Sequence, residues 1–213
     1  MKEDRKMVLL IGLLLLAAFA LWTFLVLNVD VQNVGPEGTK VGFSTFNVWF
    51  HQVTGAHMIL YTITDWLGIV PIVICMCFGV LGFVQLVERR SFFKVDTDIL
   101  LLGAYFILVV MCYLLFEMVH INYRPILIDG RLEASYPSST TLLVLSVMPT
   151  MKIQICRRIN NRVIKNVTTW FVVMFSLFMV IGRLVSGVHW ATDIIGSVFL
   201  SFGLYALYRF FVM

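Results

Sequence analysis

Two polar segments of the chain, 120–140 and 182–193, hold the residue types that could carry out chemistry. Each contains an arginine, Arg124 in the first segment and Arg183 in the second. A guanidinium group is planar and always charged, and its fork of N–H donors matches the oxygen atoms of a phosphate group. If the fold brings the two segments together, the pair predicts a site for a phosphoryl group.

The second segment also contains a histidine and a carboxylate, His189 and Asp193, four residues apart. On a helix this spacing puts both side chains on one face, where the carboxylate can orient the imidazole and stabilise its cation. Such a partner makes the far ring nitrogen more nucleophilic. The pattern predicts phosphoryl transfer through His189, with Asp193 as its support. The structural alternative is an ion pair between Arg183 and Asp193 at a helix end.

The first segment ends in the run Pro137-Ser138-Ser139-Thr140, which is predicted to open a helix. The hydroxyls and backbone N–H groups of such a run lie at the positive end of the helix dipole and form a ready anion site. The same run would also serve as an ordinary N-cap that binds nothing.

The elements that would position these residues are transmembrane helices. Of the 213 residues, 60% are hydrophobic and 13% are charged, and the mean hydropathy is +0.93. A soluble domain has about twice that share of charged residues, so most of the surface is expected to face lipid. The sequence predicts an all-α bundle with six spans, at about 7–29, 58–87, 99–119, 140–151, 168–184 and 194–212. Since a span needs about 20 residues, the fourth is long enough only if Pro149 is tolerated inside it.

The distribution of Lys and Arg predicts the orientation of the bundle. With the N-terminus inside and the spans alternating, twelve of the sixteen basic residues fall on the inner side and four on the outer side. The positive-inside rule therefore predicts cytoplasmic termini and places both polar segments outside. Because the basic residues cluster between spans, the net charge of +4 is attributed to topology and no nucleic-acid partner is expected.

The segment 30–57 is predicted to lie on the outer side. Between residues 41 and 50 its apolar residues recur at about helical spacing, which predicts an amphipathic interfacial helix, with a packed loop as the alternative. The first apolar run follows basic residues, as in a signal peptide, but it continues well beyond Ala20, which favours a retained span. We expect one transmembrane domain over residues 1–213.

Three motifs resemble the signature of the type 2 phosphatidic acid phosphatase superfamily, a group of membrane lipid phosphatases. They are Arg124-Pro125, Pro137-Ser138-Ser139-Thr140 and Arg183-x5-His189-x3-Asp193. The resemblance extends from about the third span to the end of the chain. It implies that His189 attacks phosphorus to form a phosphohistidine, supported by Asp193, without a metal or other cofactor. It also implies which residues bind the phosphate: Arg124, Ser138, Ser139 and Arg183.

Two positions depart from the family's pattern. Glu117 stands where a lysine usually lies seven residues before Arg124, and Thr140 stands where a histidine usually protonates the leaving group. General acid catalysis is worth about 10²–10⁴-fold, so its loss favours the good leaving group of a prenyl diphosphate, such as undecaprenyl diphosphate, over that of phosphatidic acid. Glu117 opposes this preference because it removes a positive charge where a diphosphate would need one. The alternatives for Glu117 are an ion pair with Arg131 or Arg124, or a position at the membrane interface. His120 could replace the missing acid.

Three functions remain open at this point. The intact third motif favours a phosphatase for a lipid phosphate or prenyl diphosphate, acting at the outer leaflet. The two departures favour a phosphate-binding membrane protein that has lost turnover. The third function is a phosphotransferase that passes phosphate from His189 to another lipid or sugar. The two halves show no hydropathy symmetry, which argues against a transporter. The small size and the lack of targeting signals are typical of a bacterial plasma-membrane protein.

Overall fold

The architecture is an all-helical bundle. The computed structural model describes residues 2–213, and within that range it contains eight α-helices and no β-strand. The helices are α1 (Lys2–Asn28), α2 (Ser44–Thr54), α3 (Met58–Leu67), α4 (Ile69–Arg89), α5 (Thr97–Met118), α6 (Ser139–Arg158), α7 (Arg162–Val185) and α8 (Ala191–Val212). Six helical stretches are long and apolar enough to cross a membrane, and α3 and α4 together form one of them. The predicted fold class and its six spans are therefore confirmed.

The second span is divided at Gly68, where α3 ends and α4 begins. The amide of Gly68 donates to the carbonyls of Thr64 (3.1 Å) and Asp65 (3.0 Å), so the chain passes from one helix to the next without a loop. Pro71 follows in the first turn of α4, where a missing N–H is tolerated. Tyr61 and Asp65 lie on α3, one turn apart.

The fourth span, α6, continues without a break past Pro149. The proline is therefore tolerated inside the helix, and the span reaches the length needed to cross a membrane. A proline inside a helix frees carbonyl groups that need other donors in an apolar environment. The carbonyl that loses its partner is that of Leu145, four residues before the proline. The next two carbonyls accept from hydroxyl groups, since Tyr105 donates to the carbonyl of Ser146 (3.1 Å) and Thr150 to that of Val147 (2.7 Å).

Helix α6 contributes to both apolar clusters of the interior. The first cluster joins it to α5 and α8 through Leu102, Tyr105, Val109, Leu142, Leu200, Leu204 and Tyr208. The second joins it to α7 through Val144, Met148, Val172 and Met179. The start of α6 is thereby held among the three helices whose ends carry the polar segments.

Helix α1 packs along α8 through small residues. A β-carbon on Gly203 would lie 2.8 Å from Leu16 Cδ2, and a β-carbon on Gly12 would lie 3.2 Å from Ala206 Cβ. Membrane helices associate by close van der Waals packing, because lipid is as apolar as the helix surfaces. The glycines therefore set the distance between these two helices.

The Gly203→Ala substitution is expected to lower the stability of the protein by about 1–3 kcal/mol, the usual cost of overpacking a tight contact. Gly79→Ala is the matched control, because nothing lies within 4 Å of a β-carbon at Gly79. This control should change stability by no more than about 1 kcal/mol, toward greater stability, because alanine is the better helix former. Thermal unfolding in detergent compares the two variants, and equal midpoints would contradict a tight contact between α1 and α8.

Within the segment 30–57 the chain forms the helix α2. The buried Asn47 side chain donates to the carbonyl of Gly42 (2.8 Å) and to Thr192 Oγ1 (2.9 Å). Trp49 and Val53 are exposed on the same helix. Helix α2 is therefore anchored to the start of α8 while it leaves an apolar surface uncovered.

Ion pairs join the helix ends that lie away from the polar segments. Asp98, at the start of α5, is 2.9 Å from Arg158 and 3.8 Å from Arg157, at the end of α6. Asp96 is 2.7 Å from Arg89, at the end of α4. Partly exposed pairs add little stability individually, but these three hold three helix ends together. In the predicted orientation this end of the bundle is cytoplasmic.

Candidate active site

The two polar segments converge at one end of the bundle, where they enclose a cavity of about 480 Å³. The wall is built from α3, the C-terminal ends of α5 and α7, and the N-terminal end of α6. Its charged side chains and histidine are Asp65, Glu117, His120, Arg124, Glu133 and Arg183. A narrower cleft, which contains His189, adjoins this cavity, and Glu117 and Ser139 border both spaces.

Two buried arginines line the cavity, and some of their N–H groups have no hydrogen-bond partner. Arg183 is 1% exposed and Arg124 is 9% exposed. Among residues 2–213, Nε and Nη1 of Arg183 and Nη1 of Arg124 have no hydrogen-bond partner. Each guanidinium has a carboxylate nearby, since Arg183 Nη1 is 3.5 Å from Asp65 Oδ1 and Arg124 Nε is 3.1 Å from Glu133 Oε2. Buried charged donors without acceptors are costly, so the arrangement favours the binding of an anion.

The aromatic ring of Tyr61 on α3 lies close to both guanidinium groups. The guanidinium carbon of Arg183 lies 5.0 Å from the ring centroid, and that of Arg124 lies 5.7 Å from it. An aromatic face attracts cations at such distances, which offsets part of the repulsion between the two like charges. An anion placed between them would offset the rest.

His189 lies in the α7–α8 loop. The predicted helical face shared with Asp193 is wrong, because α8 begins only at Ala191. The Nδ1 atom of His189 is 3.1 Å from the backbone carbonyl of Ser135 and 3.0 Å from its hydroxyl. A carbonyl can only accept a hydrogen bond, so this contact assigns the proton to Nδ1. The lone pair is left on Nε2, which is 3.5 Å from Arg183 Nη2.

Ser135 connects His189 to Asp193. Its hydroxyl donates to Asp193 Oδ2 (2.5 Å) and therefore accepts from His189 Nδ1. The Asp193 carboxylate also accepts from Asn122 Nδ2 (3.2 Å) and from the Trp190 amide (2.9 Å). No direct hydrogen bond between His189 and Asp193 is found in the described part of the chain, so the predicted support runs through Ser135.

The contacts of Arg183 and Asp193 do not match the alternative prediction, which was an ion pair between these two residues at a helix end. Arg183 pairs with Asp65 on α3, whereas Asp193 is engaged by Ser135, Asn122 and Trp190. An intramembrane carboxylate is by default a sign of function, and this signal could have drawn attention to Asp65. Ser135 has no comparable signal in the sequence.

The C-terminal end of α2 and the α2–α3 connection contact the loop that carries His189. Gly187 has a φ of +69°, and a β-carbon on it would lie 2.1 Å from the carbonyl oxygen of Gly55. His51 Nε2 donates to the carbonyl of Gly187 (3.1 Å), and the His57 amide donates to the carbonyl of Ser186 (2.9 Å). This connection therefore braces the α7–α8 loop.

The two serines predicted to bind phosphate occupy different environments. Ser138 is fully buried, and its hydroxyl donates to Thr141 Oγ1 at 3.1 Å. Ser139 and Thr140 line the cavity, and α6 begins at Ser139. The first N–H groups of a helix have no partner within that helix, so Ser139 and Thr140 present the positive helix end to the cavity.

The two variant positions and His120 also lie at the cavity. Glu117 forms no ion pair with an arginine among the described residues, and Arg124 pairs with Glu133 instead. The His120 ring stacks on Tyr123 with ring centroids 5.4 Å apart. The cavity therefore contains an unpaired carboxylate and a histidine beside the two arginines.

His189 is expected to be neutral at pH 6.5, with its proton on Nδ1, and to gain a second proton only at a clearly lower pH. Burial lowers its pKa well below the ordinary value of 6.5, and the charges of Arg124 and Arg183 lower it further. In ¹⁵N-histidine NMR spectra of the detergent-solubilised protein, the ring should convert to imidazolium only well below pH 6.5. The His189 signals are assigned as those that are missing from the spectrum of His189→Gln. Conversion of the ring to imidazolium at or above pH 6.5 would contradict the lowered pKa and the buried position of His189.

Comparisons with known proteins give one structural likeness. No protein-family model matches the chain, and no curated protein matches it. The chain is similar to the crystal structure of a transmembrane PAP2-type phosphatidylglycerolphosphate phosphatase from Bacillus subtilis, with 18% identity and a TM-score of 0.49. The likeness covers 79% of this chain and 92% of that one. Because this similarity is low, the functional argument rests on the site itself.

Proposed function

We propose that this protein is a membrane lipid phosphatase in which His189 forms a covalent phosphohistidine. The observation that carries the proposal is the position of His189 Nε2, whose lone pair faces Arg183 at 3.5 Å. The guanidinium beside it has buried N–H groups without hydrogen-bond partners. A nucleophile next to unsatisfied phosphate ligands is the arrangement that phosphoryl transfer requires.

The proposed reaction has two displacements at phosphorus. In the first, the Nε2–P bond forms and the bond from phosphorus to the lipid oxygen breaks. The departing oxygen takes a proton, for which His120 at the cavity wall is our candidate donor. In the second, water attacks phosphorus and passes a proton to His120, which restores the proton donor, the Nε2–P bond breaks, and inorganic phosphate leaves. The positive charge on the imidazole ring is stabilised through Ser135 by Asp193.

The arginines supply the electrostatic stabilisation in this proposal. Charge that develops on the phosphoryl oxygens is met by Arg124, by Arg183 and by the backbone N–H groups at the start of α6. Donors that are already in place are effective because they need no reorganisation during the reaction. The route therefore calls for no metal ion. In the orientation predicted from Lys and Arg, it operates at the outer leaflet.

The charge of the cavity bears on the choice between a monophosphate and a diphosphate. Leaving-group chemistry favours a prenyl diphosphate, because Thr140 supplies no acid. The carboxylates of Asp65, Glu117 and Glu133 oppose it, because they repel further negative charge. We therefore propose a lipid monophosphate as the substrate class, with His120 in place of the missing acid.

The proposed function is tested by phosphate release from phosphatidic acid and from undecaprenyl diphosphate, with purified protein in lipid nanodiscs and a chelator present. Release from either lipid supports the phosphatase. If folded protein binds inorganic phosphate but releases none from either lipid, the binding function replaces it. If added glycerol diverts the phosphoryl group into a new ester in place of inorganic phosphate, the phosphotransferase function replaces it.

Ser135→Ala is expected to lower kcat by about 10- to 100-fold, the range known for partners that orient a functional histidine. The loss follows because His189 Nδ1 keeps only the carbonyl of residue 135 and is no longer linked to Asp193. Ser135→Thr keeps the hydroxyl and should restore most of the rate. The ¹⁵N spectrum supplies a second readout, since the His189 signals should broaden or shift in the alanine variant alone. Equal rates for wild type and Ser135→Ala would contradict a functional role for the hydrogen bonds that connect His189 to Asp193 through Ser135.

A further inference from the structure

We propose that Tyr61 is a positioning residue, whose aromatic ring keeps the guanidinium groups of Arg124 and Arg183 together before a phosphate binds. The proposal rests on the proposed function, and it makes α3 the element that sets the geometry of the phosphate site. Tyr61 is not among the residues that line the cavity. It therefore acts through the two arginines and not on the substrate.

Helix α3 packs closely against the residue that precedes Arg183. A β-carbon on Gly182 would lie 2.7 Å from Thr64 Cγ2 and 3.6 Å from Leu60 Cδ1. Thr64 is fully buried, and its hydroxyl donates within α3 to the carbonyls of Leu60 (2.9 Å) and Tyr61 (3.0 Å). Small residues let membrane helices approach closely. The contact at Gly182 therefore fixes the position of the Tyr61 ring relative to Arg183.

The two arginines come from separate elements, since Arg124 lies in the α5–α6 loop and Arg183 in the last turn of α7. Local chain geometry therefore does not set the separation of their charges. The Tyr61 ring reaches both, with its centroid 5.0 Å from the guanidinium carbon of Arg183 and 5.7 Å from that of Arg124. The polar contacts of Arg183 with Asp65 and with His189 are both 3.5 Å long. A usual N–H···O bond is about 2.9 Å, so these contacts constrain the guanidinium only weakly.

Holding the charges together prepares the site for an anion. Two guanidinium groups repel each other, and in the absence of phosphate the ring face attracts both. Donors that are placed before binding spend less of the binding free energy on being ordered. The contribution comes from the face of the ring, so phenylalanine should replace Tyr61 whereas an aliphatic side chain should not.

The experiment measures binding of inorganic phosphate to purified protein in lipid nanodiscs, together with lipid phosphate release by the same preparations. Tyr61→Phe keeps the aromatic face and should bind phosphate within about twofold of wild type. Tyr61→Leu keeps an apolar side chain without that face, and it should raise the Kd for phosphate by about tenfold, as for loss of a desolvated cation–π contact. The kcat/KM for the lipid should fall by a similar factor.

A double-mutant cycle separates positioning from a general structural effect. In the Arg124→Ala background, Tyr61→Leu should change the Kd for phosphate by less than about threefold, because only one guanidinium is left to place. Such non-additivity is expected for residues that act together. If the two substitutions add fully, the ring does not act on the arginine pair and the proposal is overturned.

Trp66→Leu is the matched control, because Trp66 is an exposed aromatic residue on the same helix that does not line the cavity. It should leave the Kd for phosphate unchanged. Wild-type binding by Tyr61→Leu, or binding by Tyr61→Phe as weak as that by Tyr61→Leu, would overturn the role of Tyr61 while the phosphatase function stands. If wild type binds phosphate but releases none from lipid, the phosphatase function falls and the binding cycle still decides the role of Tyr61. If wild type binds no phosphate, both proposals fall.

Discussion

Replacing His189 by alanine is expected to lower lipid phosphate hydrolysis by at least about 10³-fold, because it removes the proposed nucleophile Nε2, which lies 3.5 Å from Arg183 Nη2. The residual rate would come from phosphate bound to Arg124 and Arg183. Binding of inorganic phosphate should survive, because the guanidinium groups are unchanged. Phosphate release from lipid and binding of inorganic phosphate, measured on the same preparation, separate loss of chemistry from loss of binding.

His57→Ala is the control for this substitution. His57 is an exposed histidine whose ring is hydrogen-bonded to the carbonyl of Thr54. Alanine keeps the backbone amide that donates to the carbonyl of Ser186, so this variant should keep most of the activity. A second measurement follows the phosphoryl group itself: ³²P-labelled substrate should leave an acid-labile label on wild-type protein and none on the His189 variant. Full activity of His189→Ala, or a label that persists in it, would place the nucleophile elsewhere.

The second large effect is expected at Arg183, where alanine should lower kcat/KM by about 10²–10³-fold, the range for a donor that stabilises charge in the transition state. Within residues 2–213, Arg183 has unmade hydrogen bonds and a single carboxylate within 4 Å, so its loss should leave the thermal midpoint close to that of wild type. Arg183→Lys keeps the charge without the planar fork and should recover only part of the rate.

Arg131→Ala provides the comparison for Arg183. Arg131 lies on the same side of the bundle but is exposed, and it does not line the cavity. Its loss should change kcat/KM by less than about threefold, as for a screened surface charge. If the two alanine variants lose activity equally, the effect of Arg183 would be a general effect of positive charge and not of a specific phosphate contact.

The six spans follow from composition, because a lipid environment forces every backbone group to find its partner within the chain. Long apolar runs can then only be helices, and alternation alone puts the segments with Arg124 and Arg183 at one end. His189 could be singled out as well, because few ionisable residues remain once the spans are assigned. These inferences need no knowledge of how the helices pack.

The contacts of the site could only come from the tertiary structure. The His189–Asp193 spacing predicts one helical face, yet the chain leaves the helix between Val185 and Ala191. Ser135, which joins the two, is 54 residues from His189 and 58 from Asp193.

The surroundings of the arginines were equally beyond sequence patterns. Asp65 and Tyr61 reach Arg183 from a different span, and Ser138 is buried while its neighbour Ser139 lines the cavity. Periodicity reports which residues share a face of one element. The pairing of residues far apart in the chain depends on how helices pack, and sequence spacing carries no record of that.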